Sequence, residues 1–336
     1  MKNAAPLRTL PARLAFCLVM VLLLAGTLLI SLRLGAVRMS FAQLWDVIFE
    51  EGAGTLEHQI LLNVRLPRIL TGVLVGASLA VSGTILQGVM RNPLAAPGVI
   101  GVSSGAGLAG TLVLLVCPQY GALFIPIAFL GAMGTATLVY LLAWRQGASP
   151  IRIVLAGVAI SALLGAVGKA VLLYHSEQAG SILNFTIGSL STRSWAQLRQ
   201  VAIYMTLGLV MAVIWSGRLN VLSLGDEVAA GLGLAVERTR LILLAVAALL
   251  AASAVSVAGL LAFVGLIAPH IVRLCIGADN RGLIPASALF GAWLVVACDT
   301  VGRTVCAPTE LPVGVILALL GAPFFLWLLR RRDYGT

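Results

Sequence analysis

Three histidines, five cysteines and twelve carboxylates are the side chains in this 336-residue sequence that could ligate a metal, attack a carbonyl or move a proton. Their spacing supports none of these chemistries. His58 lies in a polar stretch, His175 follows an apolar run and His270 follows Pro269, with no two at ligand spacing. HExxH and CxxC are absent, so neither a zinc protease nor a dithiol site is indicated. Cys17, Cys117, Cys275, Cys298 and Cys306 are odd in number and lack metal-like spacing; they read as small buried apolar residues. A phosphate-binding loop needs GxxxxGK followed by a hydroxyl. The only lysines are Lys2 and Lys169, and "GAVGKA" at 165–170 lacks both the first glycine and the hydroxyl. The chain therefore reads as no enzyme, with no catalytic residue and no cofactor or metal of its own. Any ATP it depends on must be bound by a partner.

The elements around these residues explain the lack of chemistry. Hydrophobic residues make up 60% of the chain and charged ones 10%, against about 25% charged in a soluble domain. The solvent for most of it must be lipid. Apolar runs of about 20 residues then favour spanning helices over a barrel. The net charge of +10 does not indicate nucleic-acid binding, because the basic residues are scattered between apolar runs. Such charges set membrane orientation. The run 14–32 leads into "SLRLGAVRMS" without a small-x-small cleavage site, so it reads as a retained first helix.

Charges divide the chain into spans. The runs 14–32 and 69–90 each fit one helix, and 92–144 is divided by the "CPQYG" turn at 117–121. Next come 153–174, with Lys169 inside it, and 200–217. The 32 uncharged residues at 241–272 would make a helix of roughly 48 Å, too long for a ~30 Å hydrocarbon core. Two helices parting near "SVAG" at 256–259 fit better. With 282–298 and 311–329 the total is ten, and 175–199 reads as a loop holding a short broken helix. An even count puts both termini on one side. Fourteen basic residues fall there: Lys2, Arg8, Arg13, Arg91, Arg145, Arg152, Arg218, Arg238, Arg240, Arg273, Arg281 and Arg330 to Arg332. Seven fall opposite: Arg33, Arg38, Arg65, Arg68, Arg193, Arg199 and Arg303. The excess makes the side with the termini cytoplasmic.

Small residues such as those in "VGASLAVSG" at 75–83 permit close helix packing in lipid. Two stretches, "RNPLAAPG" at 91–98 and "GLIAPHIVR" at 265–273, carry prolines that bend or end helices. Interrupted helices of this kind suit a transporter. A gradient-driven carrier would need an intramembrane carboxylate relay, and Asp299, near an outer end, and Lys169 are poor candidates for one. Between the sixth and seventh runs lies "LSLGDEVAAGLG", 222–233. It reads as a short cytoplasmic helix with Asp226 and Glu227 complementing its N-terminal dipole and Gly233 as its stop. It could rest in the lipid headgroups or present a rigid knob to a partner.

Four stretches carry a resemblance. They are "VRLPRILTGVLVGASLAVSGTILQGVMRNPLAAPGVIGVSSGAGL" at 64–108, "LNVLSLGDEVAAGLG" at 219–233, "FVGLIAPHIVRLCIGADNR" at 263–281 and "ELPVGVILALLGAPFFLWLL" at 310–329. With them, nearly the whole chain resembles the FecCD/BtuC-type permeases of bacterial importers for ferric siderophores, haem and vitamin B12. The resemblance implies an all-α polytopic membrane protein with the BtuC-like type II importer fold. It would be one permease domain over 1–336, with a cytoplasmic loop at 219–240. It implies a second permease subunit, identical or related, and two cytoplasmic ATPase subunits that use ATP and Mg. A periplasmic or lipid-anchored substrate-binding protein would deliver cargo. The protein would lie in the bacterial inner membrane, with a ferric siderophore as the expected cargo and haem or cobalamin as alternatives. By the same resemblance, Leu224, Gly225, Asp226, Glu227, Ala229, Ala230, Leu232 and Gly233 form the helix that couples to the ATPase. Arg65 and Arg68, in "RLPR", and Arg303 dock the binding protein. The surroundings of Arg303, "DTVGRTVCAPTELP", depart from the family's pattern.

Overall fold

The computed structural model describes residues 10–35, 39, 40, 45, 47, 55–145, 147, 149–175, 177, 179–307 and 309–331. Lys2, Arg8, Arg38 and Arg332, which the charge partition used, lie outside them. The elements among the described residues are helices: α1 (Leu10–Arg33), α2 (Leu66–Val89), α3 (Val102–Thr111), α4 (Phe124–Ala143), α5 (Pro150–Tyr174), α6 (Ala179–Ile187), α7 (Trp195–Leu222), α8 (Asp226–Gly231), α9 (Val236–Ala258), α10 (Val264–Ile276), α11 (Asn280–Val305) and α12 (Val313–Arg331). A short helix, Leu56–Ile60, and a wide turn, Leu61–Arg65, run straight into α2. A similar wide turn, Leu112–Val116, extends α3.

Among the described residues, seven helices are long and apolar enough to cross a membrane, and three shorter apolar ones are Val102–Val116, Val264–Ile276 and Val313–Trp327. Each of the ten apolar runs of the sequence holds one of these helices. The run 241–272 parts where predicted, with Gly259 at φ +77° ending α9 and Phe263 at φ +66° starting α10. The expected short helix within 175–199 is α6. Pro269 does not end its helix, because α10 continues through it. Pro269 has no N–H to give the Gly265 carbonyl one turn back. The Gln87 amide of α2 reaches that carbonyl instead, at 3.4 Å.

The buried centre is α2, packed on α9, α10 and α11. Its small residues set how close the helices come. A side chain at Gly76 would meet the backbone of Gly291 and Ala292 in α11, and one at Gly83 would meet Gly265 in α10. Ser82 adds a hydrogen bond to the Ala247 carbonyl of α9, 2.7 Å. Helices α1 and α5 lie at the periphery, largely exposed along their apolar lengths.

The two ends of the bundle carry the charge. At one end Arg13 donates to Asp279 at 3.1 Å, Asn220 donates to the same carboxylate at 2.8 Å, and Arg281 lies beside Gly217. Arg91, Arg240, Arg145 and Arg152 belong to this end through Asp226, Glu237 and the carbonyl of Gly147. Arg33, Arg65, Arg68 and Arg303 gather at the other end. These contacts follow the division of charges drawn from the sequence.

Candidate functional site

At the first end, α8 stands on a loop narrower than the 219–240 segment marked in the sequence. Residues up to Leu222 belong to α7 and those from Val236 to α9. The helix has six residues, Asp226–Gly231, within the ten expected. Its stop is a Schellman turn: Gly233, at φ +80°, donates to Ala230, and Leu234 donates to Ala229, which satisfies two orphan carbonyls. Its start differs from a side-chain cap. Gly225, at φ +111°, holds the N-cap position with no side-chain hydrogen bond, so Asp226 and Glu227 complement the dipole without a side-chain cap.

The eight residues expected to meet a partner do not all face outward. Leu224, Glu227, Ala230, Leu232 and Gly233 are exposed, while Asp226 is half-buried. Gly225 and Ala229 are buried within the chain, so they shape the knob and are not presented on it. Val228, which the sequence reading omitted, is 52% exposed between Leu224 at 59% and Leu232 at 64%. Val228 lies within α8, whereas Leu224 precedes its N-cap and Leu232 is its C-cap, so the three surround the knob without forming a helical stripe. Asp226 is held from two sides, by Arg240 at 2.7 Å and by Arg91 at 3.9 Å.

At the opposite end the three expected docking arginines are not presented on the surface. Arg65, Arg68 and Arg303 are between 4% and 7% exposed. Arg65 donates to the carbonyls of Leu32 and Arg33, and Arg303 donates to Ser31 and the Leu34 carbonyl. These are the orphan acceptors at the C-terminus of α1, where a cation also complements the dipole. Arg68 forks onto Asp299 with bonds of 2.9 to 3.2 Å and reaches Glu310 at 2.8 Å. Arg303 lies 3.3 Å from the same Asp299. Asp299 is therefore neutralised by two guanidinium groups, which suits a structural pair better than an ion relay. Glu310 is the partly exposed member of the cluster.

The turn marked by Pro93 and Pro97 meets the break between α9 and α10 in the body. A cavity of about 310 Å³ is lined by Leu79, Pro97, Ser103, Val255, Leu261 and Phe263, among others. Pro97 opens the turn before α3, and Phe263 holds the left-handed conformation before α10. No pattern in the sequence joined these stretches.

A multi-pass helical body with irregular backbone at its heart and a short apolar-faced helix standing off one end is the architecture of a transporter's membrane subunit. The chain belongs to the FecCD transport family, whose model matches residues 22–331. It is 40% identical over 326 residues to the hemin transport system permease protein HmuU of Yersinia pestis, covering 95% of each chain. It is 44% identical over 273 residues to the cobalamin import system permease protein BtuC of Halobacterium salinarum, covering 81% of this chain and 73% of that one. With the Fe(3+)-citrate import system permease protein YfmD of Bacillus subtilis it shares 36% identity over 98% of each chain. A solved metal-chelate type ABC transporter in an inward-facing conformation superposes with a TM-score of 0.83 at 32% identity, covering 94% of this chain and 99% of that one. The chain is thus a permease component of an ABC importer and not its ATPase.

Proposed function

We propose that this chain, as a single permease domain paired with an identical or related second permease, forms the pathway by which a ferric siderophore crosses the cytoplasmic membrane. Two ATPase subunits, using ATP and Mg, supply the energy, and a binding protein delivers the cargo. The side with both termini and α8 is cytoplasmic, since fourteen of the basic residues in the sequence fall there against seven opposite. The observation that carries the coupling role is the exposure of Leu224, Val228 and Leu232 beside Ala230, apolar side chains that an aqueous surface disfavours unless a partner covers them. Replacing Ala230 with Trp is expected to reduce import about 10-fold, equivalent to about 1.4 kcal/mol of lost interaction. Permease abundance should hold. Normal ATPase co-purification and normal uptake would refute the reading.

Family membership and the relatives named for iron chelates support the siderophore. The 40% identity to a hemin permease over 95% of each chain favours haem as the second reading. Uptake of ferric citrate, a ferric hydroxamate, haemin and cobalamin into vesicles holding the complex decides between them. Uptake of haemin or cobalamin without either iron chelate would overturn the first.

The binding protein is proposed to dock at the end holding Arg65, Arg68 and Arg303. Because these arginines are bonded within the chain, docking takes the form of exchange, an incoming carboxylate replacing Glu310 on Arg68. Glu310→Gln should therefore tighten docking, and more so at low salt. A Kd unchanged at two ionic strengths would count against exchange.

A further inference from the structure

We propose that Arg240 is a positioning residue that, with Asp226, locks α8 to α9 so that a displacement of the knob reaches the body instead of being absorbed by its loops. The proposal rests on the reading of α8 as the ATPase contact and adds which side chains carry the motion onward.

The packing of α8 makes such a lock necessary. Six residues cannot hold a helix by themselves. The apolar side chains of the knob point outward, and Ala229 is the buried residue within it. One buried methyl group gives little grip on α7 and α9. The flanking residues 223–225 and 232–235 are turn and loop, which a push would bend.

The charges supply the grip. Arg240 is 1% exposed, and a guanidinium that deep is rarely tolerated without partners. Its partners are Asp226, 2.7 Å away across the loop, and Glu237, one turn earlier in α9. One buried guanidinium, paired with two half-exposed carboxylates, thus joins the first residue of the knob to the start of α9. A second hold comes from α2. Arg91 follows the end of that helix at φ +50°, a costly conformation for a non-glycine residue. Its guanidinium lies 3.9 Å from Asp226. A β-carbon at Gly225 would come within 3.1 Å of Arg91 Nη1, so the glycine lets the two segments approach. Helix α9 runs from this joint to Ala258 and ends at the break bordering the internal cavity. Motion imposed on the knob is therefore delivered along α9 to the irregular backbone in the middle of the body.

The test uses the whole complex of permease, ATPase and binding protein in proteoliposomes. The substitutions are Asp226→Asn and Arg240→Met, with Asp226→Glu as the conservative rescue. ATPase co-purification and ATP hydrolysed per cargo imported are measured, using whichever of ferric citrate, ferric hydroxamate, haemin and cobalamin the native complex imports best. If none is imported, the factor by which the binding protein stimulates hydrolysis replaces the ratio. Assembly is expected to persist while ATP per cargo rises about 5- to 10-fold, the size of a typical coupling energy between sites. For the substitute readout the expectation is that stimulation falls. Asp226→Glu should return most of the effect. A merely structural role would lower protein level and import together and leave the ratio unmoved. An unchanged ratio in Asp226→Asn overturns the proposal, and that variant decides even if Arg240→Met fails to accumulate, because Asp226 is only half-buried. Ala230→Trp, run alongside, separates the two failures. Harmless Ala230→Trp removes the reading of α8 itself. Harmful Ala230→Trp with a normal ratio in Asp226→Asn removes only the lock.

Discussion

Replacing Gly83 with Ala tests whether backbone contact across α2 and α10 sets the architecture. The added β-carbon would overlap the Gly265 carbonyl oxygen and stand 2.6 Å from the Gly265 Cα. Carbon atoms pack best at about 3.5 Å or more, so the helices must part by at least ~1 Å. Neither side can yield locally, because what the new methyl meets is main chain and not the tip of a flexible side chain. Separation would also draw Gln87 away from the Gly265 carbonyl, a bond already at 3.4 Å. Overpacking of this kind costs about 1–3 kcal/mol. At about 2–4 °C per kcal/mol for a large domain, the midpoint should fall ~2–12 °C. Gly76→Ala should behave alike, since its β-carbon would stand 2.7 Å from the Gly291 carbonyl carbon and 2.9 Å from the Ala292 Cα. The control is Gly165→Ala in α5, where nothing lies within 4 Å and the better helix former should be neutral or slightly stabilising. Detergent-solubilised protein would be heated in steps and its monodisperse fraction followed by size exclusion. Equal midpoints for Gly83→Ala, Gly76→Ala and Gly165→Ala would refute the argument.

Asp299→Asn should destabilise by about 3–5 kcal/mol, because it leaves the Arg68 and Arg303 guanidinium groups facing each other without their shared counter-charge. Removing Arg68 and Asp299 together as Met and Leu should recover part of that loss, and the same heating assay reads both variants. Asp279 gives a pH dependence. Burial opposes its charge, yet Asn220, the Arg281 N–H and Arg13 favour it more, and the net effect holds its carboxyl below the ordinary value. Its stabilisation is therefore complete above the unfolded carboxylate value of about 3.9 and is lost as pH falls through the lower folded value. Asp279→Asn should melt below the native protein at neutral pH and converge with it in strong acid, and a gap that is constant with pH would contradict this.

What the sequence makes legible here is what lipid makes local. Each apolar run must satisfy its own backbone hydrogen bonds, so span limits can be read from charges and turns, and the excess length of 241–272 revealed its own break. The stop at Gly233 was legible for a similar reason, since a left-handed turn needs glycine within a few residues of the helix end. The arginine cluster was not. Arg68 and Asp299 are 231 residues apart, and no periodicity links them. Arg65 and Arg303 read as surface cations because the carbonyls they cap belong to another helix. That the helix continues through Pro269 was not legible for the same reason, the bond to the Gly265 carbonyl coming from Gln87 of α2. On α8 the burial of Ala229 was not legible either, because it follows from how the loop folds back on α7 and α9.

The distribution of rigid and yielding contacts bears on how such a subunit transmits force. Between α2, α10 and α11 the contact is glycine against backbone, and it resists sliding because no side chain can rotate out of the way. At both ends buried arginines tie separate helices together: Arg65 and Arg303 hold α1, Arg68 joins α2 to α11, and Arg240 joins α8 to α9. Between these fixed points lie the break from Gly259 to Phe263 and the turn from Asn92 to Gly101, where the main-chain pattern is interrupted and a cavity remains. A body stiff at its contacts and ends deforms where regular hydrogen bonding stops. A force entering through α8 and α9 therefore has its most compliant point where α9 gives way to α10, beside the cavity. Of the prolines noted in the sequence, Pro93 and Pro97 thus lie in the compliant backbone, whereas Pro269 lies within α10 beyond the break.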